Sequence, residues 1–277
     1  MNTDSIPVLL PPGSRVLCAV SGGSDSIGLL HLLWTQREEW GLEVFAAHYE
    51  HGIRGADSLR DAAFVEAFCR ERGIPCTVEH GDVPGYAART GLGPEAAARE
   101  LRYAFLERTA DELGCDRIAT AHNADDNAET MLLNLTRGSG LRGLGGIPPV
   151  RGRIVRPLLT VTRQEIESYL AENGLPHVED ASNADESYRR NRLRQRVLPL
   201  LQEMNPALAH TLGDTAALLR QDEGCLASLA DNFIEKHYQN DSLPTKELAE
   251  LHPAVASRVL RALCPQSLER KHVEEAL

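Results

Sequence analysis

Residues 18–29 read CAVSGGSDSIGL, and this stretch decides the fold of the 277-residue chain. The residues before it, Arg15 to Val20, are β-like, whereas Ile27, Leu30, Leu33 and Trp34 after it recur on one helical face. Gly22 and Gly23 therefore occupy a strand-to-helix turn, flanked by Ser21, Ser24, Asp25 and Ser26. Such a turn offers unpaired backbone N–H groups and the positive end of a helix dipole, and both suit a phosphate. The same letters could also make a plain tight connection with a serine N-cap.

Asp25 tips the reading toward a ligand site. A carboxylate beside a bound anion costs affinity unless a divalent cation bridges the two, which points to ATP with Mg²⁺. The stretch is not GxxxxGK[ST], since no lysine follows to reach the outer phosphates.

Outward from this turn, strands alternate with helices. Leu42–His48, Cys76–His80, Arg117–Ala121 and Ile154–Leu159 read as further strands, and Asp57–Arg72, Pro94–Leu113 and Asp125–Leu135 as the helices between them. The expected fold class is α/β, a five-stranded parallel sheet with helices on both faces. Ligands then belong at the carboxyl ends of the strands. Three polar clusters fall there: Ser21–Ser26, His48 to Gly52, and His122 to Asp126. Beyond Val161 the alternation stops, with helices expected at Thr162–Asn173, Ser187–Leu201 and Pro206–His237. We expect a catalytic domain over residues 1–205 and an all-helical domain over 206–277.

Composition narrows the function. The longest apolar runs fall far short of the ~20 residues that span a bilayer, and MNTDSIPVLL has no basic leader region, so a soluble cytoplasmic protein with no membrane partner is expected. Six scattered cysteines lack CxxC or zinc spacing and read as reduced thiols. A net charge of −11 argues against indiscriminate nucleic-acid coating. The run SYRRNRLRQRVLP at 187–199 is a local exception, and its arginines suit bidentate phosphate contacts.

With these residues in view, SGGSDS resembles the PP-loop of the N-type ATP pyrophosphatases, whose fold is that of the adenine nucleotide α-hydrolases. HYEHGIRG (48–55), PEAAARELRYAFL (94–106), ATAHNADDNAETMLLNLTRGSGLRGLGGI (119–147), RPLL (156–159) and SYRRNRLRQRVLP, in this order, look like the tRNA(Ile)-lysidine synthetases. The resemblance covers about residues 14–210. It implies adenylation of the C2 carbonyl oxygen of the wobble cytidine in tRNA(Ile) with a CAU anticodon, then attack by free L-lysine. It also implies ATP and Mg²⁺ as cofactors and allows a homodimer.

Residue by residue, the resemblance assigns ATP to Ser21, Gly22, Gly23, Ser24, Asp25, Ser26, His48, His51 and His122. It assigns Mg²⁺ to Asp25 and Asp126, and catalysis to Asp25, Arg99, Asp126 and Glu129. Asp126 and Glu129, three apart, share a helix face and could hold Mg²⁺ or grip the lysine ammonium. Asp125 could equally be an N-cap, Arg99 could simply pair with Glu95, and His48 could be structural. Arg190, Asn191 and Arg194 are expected to meet tRNA phosphates and the cytidine, which must leave its stack to react. Asn123 stands where the family has a second histidine. The chain ends at KHVEEAL, in what reads as an incomplete substrate domain with no further C-terminal module. A cytidine thiolase of the same superfamily, a small-molecule amidotransferase and a noncatalytic nucleotide sensor are the alternatives.

Overall fold

Strand β1 (Arg15–Ala19) lies in the middle of the sheet, and its side chains show why. Val16 and Cys18 face one side and Leu17 the other, all fully buried, as the two-residue period of a strand covered on both faces requires. The computed structural model describes residues 3, 6–53, 55–179 and 189–264. It divides into two compact units, Met1–Leu133 with Ile147–Gly213, and Asn134–Gly146 with Asp214–Leu277.

The first unit opens with a short helix, α1 (Ile6–Leu9), and then β1, α2 (Ser24–Trp40), β2 (Glu43–Glu50), α3 (Ala56–Glu71) and β3 (Cys76–His80). It continues through α4 (Val83–Thr90), α5 (Pro94–Glu112), β4 (Arg117–Ala119), α6 (Ala124–Thr136), β5 (Val150–Arg151), β6 (Ile154–Val155) and α8 (Arg163–Glu172). The intervening α7 (Leu141–Leu144) belongs to the second unit. Leu29, Leu30 and Leu33 of α2, Val65 and Phe68 of α3, and Ile166 and Leu170 of α8 pack on the Val16 side of the sheet. Val83 of α4 and Ala97, Phe105 and Leu106 of α5 cover the Leu17 side. Burying each such leucine or phenylalanine contributes about 1.5–3 kcal/mol.

The sheet order is β3-β2-β1-β4-β6-β5. Five strands are parallel, as expected, but a sixth, β5, pairs antiparallel with β6 through Val150↔Val155 and Arg151↔Ile154. Two residues and a glycine at φ +59° are too little pattern for a strand to be read from sequence. β6 also stops at Val155 instead of Leu159, because Pro157 cannot donate to a ladder. β2 runs two residues past His48, since Tyr49↔Glu79 and Glu50↔His80 continue its pairing with β3. α4 was not anticipated: Pro84 and Gly85 blur its periodicity, and the Asp82 carboxylate caps it by accepting from Gly85 N–H at 2.8 Å.

The arginine run departs from one regular helix. Ser187 and Tyr188 lie outside the described residues; the rest forms α9 (Arg189–Arg192), a π-helical turn over Leu193–Val197, and α10 (Leu198–Met204). Pro199, lacking an N–H, removes one α-helical bond there. In the second unit, Leu248 of α12 (Thr245–Ala249) and Val255, Ala256 and Val259 of α13 (Pro253–Leu263) bury against Ala230 of α11 (Leu208–His237). The last thirteen residues, including KHVEEAL, lie outside the described residues. No described helix is long and apolar enough to cross a membrane.

Candidate functional site

A cleft of about 1060 Å³ opens at the carboxyl ends of β1, β2 and β4, wholly within the first unit. Its floor is the turn after β1. Helix α2 begins at Ser24, and its N-cap is Gly23, which has no side chain to cap it. The first N–H groups of the helix, from Ser24 to Ser26, thus lack intrahelical acceptors, as at any helix start. Ser26 Oγ accepts from the N–H groups of Ser21 and Gly22 at 3.1 and 3.2 Å and donates to Gly23 O at 2.9 Å, which makes the turn rigid. Gly22 sits at φ +94°, with Val65 and Val178 side chains 3.4 and 3.5 Å from where a Cβ would stand. Gly22→Ala is therefore expected to strain the turn and cost about 1–2 kcal/mol of stability, measured by urea denaturation. An unchanged stability would show that the turn accommodates the added methyl group.

Two histidines stand over this floor, both uncharged. His48 is 5% exposed; its Nδ1 donates to Val20 O at 2.8 Å, which leaves Nε2 as an acceptor. Burial pulls its pKa down. His122, beside Thr120 Oγ1 at 3.1 Å, is lowered to about 4 by burial, with Arg156, Arg102 and Arg190 adding to the effect against Asp126. His51 lines the same cleft and meets the Tyr49 ring edge-on at 5.2 Å.

The acidic groups divide. Asp25 and Asp126 line the cleft, and one guanidinium nitrogen of Arg163 lies 3.9 and 3.8 Å from them. Burial raises the Asp25 pKa to about 6; Asp126 pushes in the same direction and Arg163 opposes it. Asp25 Oδ1 is buried with no hydrogen-bond partner. Glu129 is fully buried and does not line the cleft: Arg194 grips it through Nε at 2.5 Å and Nη2 at 3.1 Å, and Arg190 Nε lies 3.5 Å away. Arg194 Nη2 is also 3.5 Å from Asp126, so one guanidinium bridges the two carboxylates that share the α6 face.

Asp125 is not the cap of its own helix. Asn123 Oδ1 accepts from Asp126 N–H at 2.9 Å while Asp126 Oδ2 accepts from Asn123 N–H at 3.2 Å, a reciprocal cap. Asp125 Oδ2 instead accepts from Arg163 N–H at 2.8 Å, tying α8 to α6. Arg190 and Arg194 line the cleft and Asn191 does not; Arg99 is exposed over the Tyr103 ring, outside the lining. Glu50, in the polar cluster expected at the end of β2, lines the cleft, whereas Arg163, Arg102 and Asp61 are lining residues that sequence reasoning did not assign to the site. A capping box at Thr162 and Glu165 signals where α8 starts, but nothing in the sequence shows that Arg163 would turn back to the start of α2. Asp25 and Asp126 fit a divalent cation: they are two neighbouring carboxylates, one with an orphaned oxygen, whose mutual repulsion such an ion would relieve.

A family model described as a PP-loop domain matches residues 5–201. The tRNA(Ile)-lysidine synthase of Geobacillus kaustophilus (strain HTA426) is 38% identical over 92% of this chain and 57% of its own length. Those of Porphyromonas gingivalis (strain ATCC BAA-308 / W83) and Bacillus subtilis (strain 168) are 41% and 39% identical, over 96% and 95% of this chain and 58% and 54% of their own lengths. The chain thus spans somewhat over half the length of these curated relatives. Among solved structures, the U34-tRNA thiolase NcsA from Methanococcus maripaludis superposes with a TM-score of 0.63 over 77% of this chain and 74% of its own, at 20% identity, a likeness of fold alone.

Proposed function

Because this chain belongs to the PP-loop family, we propose that it carries the catalytic part of a tRNA(Ile)-lysidine synthase. The supporting observation is one cleft in which an uncapped helix start, two cation-ready carboxylates and the guanidiniums of Arg102, Arg163, Arg190 and Arg194 converge. That is the apparatus for placing a nucleotide triphosphate against an RNA base.

In the first step the C2 oxygen of the wobble cytidine bonds to the α-phosphorus of ATP, and the bond to the β-phosphate oxygen breaks, releasing pyrophosphate. The N–H groups at the start of α2 hold the departing pyrophosphate as charge builds on it. His48 and His122, held neutral, add no charge there, and His48 Nε2 can accept a hydrogen bond from the nucleotide or the base. Asp25 and Asp126 would hold Mg²⁺, which supplies charge neutralisation at the phosphates. In the second step the lysine ε-nitrogen bonds to C2, the C2–O bond breaks and AMP departs. Asp126, the member of the α6 pair that faces the cleft, is our acceptor for the ammonium proton, whereas Glu129 holds Arg194.

We assign residues 1–205 to this chemistry and 206–277 to holding the tRNA, and Arg190, Asn191 and Arg194 to the anticodon arm. Cytoplasmic location and a homodimer belong to the same proposal, the latter testable by light scattering. A cytidine thiolase needs cysteines at the reacting base, and no cysteine is among the described residues that line the cleft.

The test uses purified chain, ATP, Mg²⁺, labelled lysine and a transcript of tRNA(Ile) with CAU or of tRNA(Met). Lysine is expected in the isoleucine tRNA alone, with one pyrophosphate per lysine. Pyrophosphate release without lysine incorporation would overturn the acceptor, and no pyrophosphate would overturn the ligase reading for this chain.

A further inference from the structure

Four arginines of the first unit gather around one phenol ring beside the cleft. Tyr103 of α5 carries the guanidinium of Arg99 at 4.9 Å from its ring centroid and those of Arg102 and Arg151 at 5.3 Å each. Arg156, only 3% exposed, donates from Nη1 to Pro148 O at 2.5 Å and adds its charge to the same phenol. Burial pushes the Tyr103 phenol up, yet Arg102, Arg99, Arg156 and Arg151 together outweigh it and the net direction is down.

This grouping is unusual for the chain. Elsewhere arginines meet carboxylates: Arg108 pairs with Glu79, Arg153 with Glu107 and Asp111, Arg194 with Glu129. The net charge is −11, so acids are plentiful. Among the described residues no carboxylate pairs with Arg99, Arg102, Arg151 or Arg156. Moreover, the Nε groups of Arg102 and Arg156 are buried with no hydrogen-bond partner, and the polar group that the two guanidiniums share is the neutral phenol of Tyr103. Buried donors are ordinarily satisfied, and four like charges repel, so the arrangement lacks an anion. Arg99 and Arg151 are exposed while Arg102 opens onto the cleft, which makes a path from the surface inward. Planar guanidiniums suit a phosphate's paired oxygens.

We propose that Arg99, Arg102, Arg151 and Arg156, set around Tyr103, form a second phosphate site, distinct from the turn at 21–26, that holds a phosphodiester of RNA lying in the cleft. The inference rests on the RNA-substrate reading above. A phosphate here could come from an RNA strand or from the nucleotide, and the surface-to-cleft path favours the strand.

The test is fluorescence anisotropy of the full chain with a labelled RNA stem-loop bearing a CAU loop, from 50 to 200 mM KCl, alongside a fluorescent ATP analogue. Arg151→Glu and Arg151→Gln change an exposed side chain that has no assigned part in catalysis or ATP binding, and thermal melting verifies their folding. Each is expected to weaken RNA binding about tenfold at 50 mM salt and to lower the slope of log Kd against log salt by about one contact, with ATP analogue affinity within twofold of the parent. Parallel loss of both ligands would assign the anion to the nucleotide and overturn the proposal. RNA binding equal to the parent in both variants would also overturn it. If the parent itself binds no RNA, the RNA reading falls first and takes this site with it.

Discussion

Arg194→Ala will destabilise the fold by about 3–5 kcal/mol, more than any loss of RNA contact requires. The reason is Glu129. Its carboxylate is fully buried, and Arg194 supplies both of its close hydrogen bonds. Removing the guanidinium leaves that charge with only the half-exposed Arg190 Nε at 3.5 Å. The Glu129 pKa is raised already, by burial first, against Arg194. Without Arg194 it rises further, and the folded state then holds a proton that the unfolded state releases. Stability therefore falls as pH rises above the ordinary glutamate range, so the deficit is larger at pH 8 than at pH 5.5. Urea denaturation at both pH values measures it. Replacing both partners by apolar residues, Glu129→Leu with Arg194→Met, should return most of the stability, since a buried pair is often no better than packed hydrocarbon. Arg190→Ala, at the half-exposed position, should cost under about 1 kcal/mol. An Arg194→Ala protein within 1 kcal/mol of the parent at pH 8 would mean the bridge is not structural.

The sheet and its ligand-bearing edge were legible because their signals are local. Strand and helix periods on either side of Gly22 and Gly23 depend on residues a few positions apart, and so does the cap at Thr162. Five parallel strands followed, along with the carboxyl-end clusters. What sequence could not show is how charges from distant segments meet. Asp126 and Glu129 were read as a free acidic pair because their spacing puts them on one face; only the fold brings Arg194, some 65 positions later, onto that face. Arg163 reaches Asp25 by the same kind of long return, from the start of α8 to the start of α2. The two-residue strand β5 escaped notice for another reason: Val150 and Arg151 carry no alternation, and their pairing with β6 depends on a tight turn. That small strand nevertheless brings Arg151 to Tyr103.

Asp25→Asn should make the protein more stable at neutral pH and nearly inactive. In the fold the Asp25 carboxyl titrates near 6, above the ordinary value of 3.8, chiefly because it is buried. Between those two values the folded state binds the extra proton, so ionisation works progressively against folding as pH rises from about 4 to 6, and the full cost remains at pH 7.5. A shift of about two pH units corresponds to about 3 kcal/mol, and a side chain still one-quarter exposed feels less of it, so the amide should gain about 1–2 kcal/mol at pH 7.5 and nothing at pH 3.5. Pyrophosphate release should fall by about a hundredfold or more, because the amide can neither charge nor hold a cation as the carboxylate does. ATP with Mg²⁺ supplies the discriminating measurement. It should raise the melting temperature of the parent by favouring the ionised Asp25–Asp126 pair, and raise that of the variant much less. A variant no more stable than the parent at pH 7.5, or one equally stabilised by ATP with Mg²⁺, would show that Asp25 is an ordinary helix-start acid. The expected pattern, stability gained where function is lost, follows from placing an ionised carboxylate at a buried anion site where Arg163 offsets its charge only in part and a bound cation would complete the neutralisation.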